Sequence, residues 1–139
     1  MELISSAFRL EFREFCVGLV LRQIDDIFQM ADSQRGSIPP NRTVGGQRRT
    51  LVEEYYASID WANLQDVQKF LKAVGLVMSQ SYIGKEGKEF LSDLCKKEGL
   101  VVKGHQVEIS NEKLGIERDL FRLQFPGGLP FGKLKPDFA

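Results

Sequence analysis

Large apolar side chains recur at intervals of three or four residues along the first part of the chain. That spacing places them on one side of an α-helix, and it predicts a largely buried helix over residues 5–31. Gly18 marks a point where this helix can kink or divide. One stripe is formed by Phe8, Phe12, Phe15 and Leu19, and a second by Val17, Val20, Leu21, Ile24, Ile27 and Phe28.

The stretch from residue 45 to 78 shows the same spacing in two segments, and we expect the rest of the chain to pack around it. Thr50 and Glu53 match a capping box, in which each side chain bonds the backbone N–H of the other residue. The first helix of this pair is therefore predicted over residues 50–59.

The second helix of the pair is predicted over residues 61–78. Asp60 and Asn63 are both good N-cap residues, so either can start it. The short connection makes the two helices neighbours in space.

Three aromatic residues, Tyr55, Tyr56 and Trp61, fall near the corner between these two helices. One interpretation is an aromatic platform for a ligand. The other is a set of core side chains that close a helical hairpin, and it is favoured because apolar bulk at helical spacing is ordinarily buried.

The chain then predicts a third core helix and a small hairpin. Residues 86–97 have an apolar face containing Phe90, Leu91 and Leu94, and Gly99 is suited to end the helix. Two short β-branched runs follow around a turn, so a β-hairpin is expected at 100–109. The fold class predicted is mainly α: a small bundle of four to five helices with this one short hairpin.

Composition limits the classes of protein that fit. The 139 residues suit one domain with a real core, and 19 Lys and Arg balance 19 Asp and Glu. A formal net charge of zero argues against a generally basic nucleic-acid binder.

Cys16 and Cys95 lie in apolar helical patterns and fit buried thiols of a reducing compartment. With no signal-peptide pattern and no membrane-length apolar run, we expect a cytoplasmic protein without membrane insertion.

The segment 32–46 is predicted to be a loop because glycine and proline recur in it. This loop and the next helix start carry Arg35, Arg42, Arg48 and Arg49, which together could bind phosphate or an acidic partner. The alternative is that Arg48 and Arg49 form ion pairs with acidic residues of the domain. The acidic candidates are Glu53, Glu54, Asp25 and Asp26.

Catalytic and metal-binding patterns were not found in the sequence. Asp25 and Asp26 are adjacent, so on a helix they point about 100° apart and do not converge; an exposed face is the expectation for both. His105 is the only histidine, has no companion ligands for zinc, and is interpreted as a solvated turn residue. We therefore expect no enzyme activity, no metal and no cofactor.

The domain is predicted to span residues 1–115, followed by a tail or linker at 116–139 that is rich in Pro, Gly and Phe. Its large apolar residues are too many for a free solvated linker, so we expect the segment to pack on its own domain, to lead into a further domain or to contact a partner. These residues are Phe121, Phe125, Leu129, Phe131 and Phe138.

One family resemblance covers roughly residues 46–110. Its motifs are the run GQRRTLVEEYY at 46–56, Asp60-Trp61, the segment 66–71, and the helix and hairpin at 94–109. Together they resemble the N-terminal accessory domains of bacterial abortive-infection (AbiJ-type) anti-phage proteins. The resemblance implies a small helical module that senses, docks or oligomerises and is normally attached to a separate effector domain.

Two functions remain open from the sequence. The first is a non-catalytic helical interaction module of a bacterial defence protein, with a protein partner or self-association. The alternative is a winged-helix-like nucleic-acid binder that uses the helices at 61–78 and 86–97 with the hairpin at 100–109, whose order fits that motif. The zero net charge disfavours the alternative.

Overall fold

The computed structural model describes residues 2–111 and residue 114. The chain divides into two units, Met1–Glu108 and Ile109–Ala139. The predicted boundary after residue 115 and the five apolar tail residues, Phe121, Phe125, Leu129, Phe131 and Phe138, lie outside the described residues.

The predicted fold class is confirmed. In the described residues, five α-helices precede a two-stranded hairpin, and a short 3₁₀ turn, Pro40–Arg42, interrupts the predicted loop. The elements are α1 Ser6–Cys16, α2 Leu21–Met30, α3 Gln47–Ala57, α4 Leu64–Ser79, α5 Lys85–Lys97, β1 Leu100–Lys103 and β2 Gln106–Ile109.

The single helix expected over residues 5–31 is two helices, divided around Gly18. Ser5 caps α1 by accepting a hydrogen bond from the Phe8 N–H at 3.1 Å. Before α2, the side chain of Gln23 accepts from the Val20 N–H at 3.0 Å. The division lets each helix bury its own stripe, and it leaves Val20 and Leu21 exposed, in contrast to the broad buried surface expected.

The capping box predicted at Thr50 is wrong. α3 starts after Gly46, whose φ of 93° is accessible mainly to glycine. Thr50 thus lies inside the helix, and its hydroxyl donates to the Gly46 carbonyl at 2.7 Å. Gln and Arg at 47–49 are good helix formers, so the helix extends almost a turn further than the cap signal indicated.

The predicted alternative cap, Asn63, starts α4. Its side chain accepts from the Asp66 N–H at 3.0 Å, while the Asp66 carboxylate accepts from the Asp60 N–H at 2.9 Å. The corner between α3 and α4 is therefore held by hydrogen bonds between side chains and the backbone, and Trp61 is positioned within it.

Phe70 of α4 lies at the centre of the core, with four aromatic rings meeting it edge to face. The centroid distances are 6.0 Å to Phe8, 5.5 Å to Phe12, 5.7 Å to Tyr56 and 4.9 Å to Trp61. Such pairs are worth about 0.5–1.5 kcal/mol each beyond their buried area. This cluster joins α1, α3, α4 and the corner.

The hairpin folds back against α4. Gly99 ends α5 with φ of 83°, and Gly104 forms the hairpin turn with φ of 63°. A Cβ atom at Gly75 would overlap the His105 carbonyl oxygen, so the turn backbone lies directly on α4. Glycine at position 75 permits this contact.

Phe90 does not belong to the inner face of α5, as had been predicted. It is 45% exposed and stacks on Phe15 with a centroid distance of 5.8 Å. Leu91, Leu94 and Cys95 form the buried face instead.

Among the described helices, none is long and apolar enough to span a bilayer.

Candidate functional site

An open cleft of about 620 Å³ lies beside the α3–α4 corner. Its walls come from the first residues of the chain, α1, the loop before α3, α3 itself and the corner. Three of the residues predicted for binding, Arg42, Tyr56 and Trp61, line this one cleft. It is therefore the best candidate for a functional site in the described residues.

The guanidinium of Arg9 covers the ring of Trp61, with Cζ 4.6 Å from the ring centroid. Arg9 Nη2 donates to Glu2 Oε1 at 2.7 Å, and Arg9 Nε donates to the Ser5 carbonyl at 3.3 Å. The Leu3 N–H donates to the Trp61 carbonyl at 2.8 Å. The N-terminal segment thus holds the cation on the aromatic ring, an attractive arrangement.

Tyr56 connects the floor of the cleft to the core. Its hydroxyl donates to the Arg9 carbonyl at 2.7 Å, and its ring meets Trp61 edge to face at 5.3 Å. Burial raises the pKa of Tyr56 well above its ordinary value, so the phenol stays neutral. Tyr56 and Trp61, which is 9% exposed, are mainly core residues that present an edge to the cleft.

Arg42 is placed by the loop that forms one rim. Gly36 anchors that loop, since its N–H donates to the Glu54 carbonyl at 2.7 Å. The 3₁₀ turn follows, with Pro40 at its start and the Arg42 N–H bonded to the Pro39 carbonyl at 2.9 Å. The exposed Arg42 side chain makes no hydrogen bond or ion pair within the described residues.

The other predicted binding residues lie elsewhere. Arg48 is exposed on α3 outside the cleft, and Tyr55 is buried beneath α2. Arg49 pairs with Glu14 of α1, with Nη2 and Oε1 2.7 Å apart. The expected pairing of the two arginines with Glu53, Glu54, Asp25 or Asp26 is therefore wrong. The pairing follows helix packing, because α3 crosses α1.

Asp25 is not on an open face, contrary to expectation. The Tyr55 hydroxyl donates to Asp25 Oδ1 at 2.7 Å, and Arg35 Nη2 donates to both carboxylate oxygens at 3.2 and 3.0 Å. The Tyr55 ring stacks on Phe28 at 4.5 Å. We call Asp25, Tyr55 and Arg35 the latch, because they join the loop to α2 and α3.

Sequence reasoning missed Glu2, Arg9, Leu10 and Ile38, which also line the cleft. Arg9 carried no clear signal, because it lies about 100° around the helix from the apolar stripe that contains Phe8. No local signal pointed to Glu2 or Ile38, because each reaches the cleft through the tertiary fold.

The following residues are the side chains most often used in catalysis and metal binding: the histidine, the two cysteines and the carboxylates. His105 is exposed in the hairpin turn as predicted, and both cysteines are buried. Burial raises the pKa of Cys95 to about 11 and that of Cys16 still higher, so neither is a thiolate near neutral pH. In residues 2–111 and 114, no three His, Cys, Asp or Glu side chains group to hold a metal ion.

Comparisons with protein-family models, with curated proteins and with solved structures found no match to this chain. The resemblance to abortive-infection accessory domains therefore stays a prediction, and the cleft's own geometry carries the functional argument.

Proposed function

We propose that the protein is a non-catalytic helical interaction module, which docks a segment of a protein partner in the cleft beside the α3–α4 corner. The observation that carries the proposal is that one cleft is lined both by an exposed apolar side chain, Leu10, and by an exposed cation, Arg42, which has no partner in the described residues. Interfaces combine an apolar centre with charged groups at the rim in this way. A role in bacterial phage defence, implied by the resemblance, is part of the same proposal.

The proposal is tested by selecting a displayed random-peptide library on the full chain. Leu10 is 50% exposed and lines the cleft, whereas Met30 is 49% exposed and lies outside it. Leu10→Ser and Met30→Ser thus form a matched pair. We expect selected peptides to bind the Met30→Ser variant normally and the Leu10→Ser variant weakly.

Trp61 supplies the readout, because it is the only tryptophan of the chain and borders the cleft. Peptide binding should change its fluorescence. A failure to select any peptide, or equal binding by both serine variants, would contradict docking in the cleft.

Nucleic-acid binding is the second candidate, and one observation favours it. Lys88, Lys96, Lys97 and Lys103 make no ion pairs within the described residues. Against it, Lys88 and Lys97 are nine residues apart, about two and a half turns, so they face opposite sides of α5. The hairpin turn also lies on α4 at Gly75, where it is not free to act as a wing.

A salt titration of duplex DNA binding tests this second candidate. Each phosphate contact contributes a log–log slope of about −0.9. We expect no measurable binding at physiological salt, and tight binding that Lys96→Glu and Lys103→Glu abolish would make it the better proposal.

A further inference from the structure

The charges around the cleft are almost all paired with one another. Glu2 binds Arg9 at 2.7 Å, and Glu53 binds Arg13 Nη1 at 2.8 Å. Arg42 lines the same cleft and has no such partner in the part of the chain that the structure describes. Arg42 is therefore the one charged lining residue without an ion-pair partner among the described residues.

One carboxylate is already bound in this cleft by the protein itself. Glu2 places its carboxylate on the guanidinium that covers Trp61. This internal pair is a carboxylate bonded to an arginine above an apolar floor. It is an example, within the cleft, of the contact that a ligand carboxylate would make with an arginine at the rim. Arginine binds carboxylates through paired, charge-assisted hydrogen bonds.

The remaining wall is apolar. Leu10 is exposed, and Ile38, Pro39 and Ala57 line the cleft with it. An apolar side chain buried there would gain about 1.5–3 kcal/mol of transfer free energy if fully covered. The exposed apolar wall and the guanidinium of Arg42 are therefore suited to two different groups of one ligand, an apolar side chain and an anion.

From this charge complementarity we infer that the partner segment carries an acidic side chain next to a large apolar side chain. Arg42 binds the carboxylate, and the apolar side chain packs on Leu10 and Ile38. This inference rests on the proposed function and names the class of peptide that the cleft takes.

A nucleic acid fits the same cleft poorly. Phosphate backbones present a charge at every nucleotide and are bound by several cations together, whereas Arg42 is the single unpaired cation that lines this cleft in the described part of the chain. The acidic side chains of Glu2 and Glu53 in the walls would lie close to neighbouring phosphates. A peptide with a single carboxylate avoids that repulsion.

The test uses a synthetic peptide from the library selection and its amide counterpart, in which the acidic residue is replaced by Asn or Gln. Both are titrated against the full chain by Trp61 fluorescence. The amide peptide should bind about ten- to a hundredfold more weakly, the range expected for losing hydrogen bonds between charged groups.

A charge swap then assigns the contact to one residue. Arg42→Glu should weaken the acidic peptide similarly, and a peptide carrying Lys at the acidic position should regain binding to that variant. Arg48→Glu is the matched control, because Arg48 is also exposed and unpaired in the described chain but lies outside the cleft. Melting curves verify that each variant folds.

The possible results separate this inference from the proposed function. If selected peptides need Leu10 but the amide peptide binds equally well, the acidic specificity is refuted while cleft docking stands. If no peptide depends on Leu10, the proposed function itself fails. A DNA or RNA oligonucleotide that displaces the peptide and loses affinity with Arg42→Glu would overturn the peptide assignment.

Discussion

The cleft and the latch contain the same kinds of side chain, but they differ in whether those side chains are paired with one another. In the latch, Tyr55, Arg35 and Asp25 satisfy one another, and the loop is bound to α2 and α3. In the cleft, Arg9 has its partner, whereas Arg42 has none within residues 2–111 and 114, and Leu10 is exposed. The same residue types thus form a fully paired cluster in the latch, and they leave an exposed apolar side chain, and a guanidinium that is unpaired in the described chain, in the cleft that we propose as a docking surface.

The two adjacent tyrosines make this contrast within one helix. Tyr55 faces α2 and stacks on Phe28, while Tyr56 faces α1 and meets Trp61. Neighbouring positions on an α-helix differ by about 100° in direction. One turn of α3 therefore contributes to both regions.

The largest effect is expected from Trp61→Ala. The ring contacts Tyr56 and Phe70 and is almost fully covered, so its removal should cost about 3–5 kcal/mol of unfolding free energy. Chemical denaturation measures this loss. A variant that melts like the parent but no longer binds peptide would show that Trp61 belongs to the ligand site rather than to the core.

The tyrosine hydroxyls give a smaller and matched comparison. Tyr55→Phe removes a bond to the carboxylate of Asp25, and Tyr56→Phe removes a bond to a neutral carbonyl. Bonds to charged groups are worth about 1.5–3 kcal/mol and neutral ones about 0.5–1.5 kcal/mol. Tyr55→Phe should therefore be the more destabilising in urea denaturation, and the reverse order would contradict the structural role assigned to the latch.

Acid sensitivity should be smaller again. The hydrogen bond from Arg49 holds the pKa of Glu14 at about 2, below its ordinary value of 4.5. Because the folded pKa is the lower one, the contribution is complete above pH 4.5 and is lost as the pH falls toward 2. Glu14 is 39% exposed, so solvent screening should keep the gain below about 1 kcal/mol. Glu14→Gln should flatten the stability profile in that window, and an unchanged profile would contradict this.

The smallest effects distinguish the two loop arginines. Arg35 is bonded to Asp25, so Arg35→Ala should lower the melting temperature slightly. Arg42→Ala should leave it unchanged, because the side chain has no partner within the described residues. Calorimetry of both variants compares them directly, and a larger loss for Arg42→Ala would show that the cleft rim has a structural partner.

The sequence predicted the fold better than the site. Hydrophobic spacing located α4, α5 and the hairpin closely, because that signal depends only on which side chains share a face. The capping box at Thr50 failed because Gly46 offered an earlier start that local propensity also supported. Of the residues predicted for binding, only Arg42, Tyr56 and Trp61 line the cleft.

Local pattern by itself determined the class of fold, the helix-ending role of Gly99 and the buried character of the aromatic corner. The tertiary structure alone decided which acid each arginine meets, that Gly75 receives the His105 carbonyl, and that Arg9 covers Trp61. Helix formation depends on neighbours three and four residues away, whereas these contacts join groups far apart in the chain. Their partners are selected by how the helices cross, which short-range spacing does not encode.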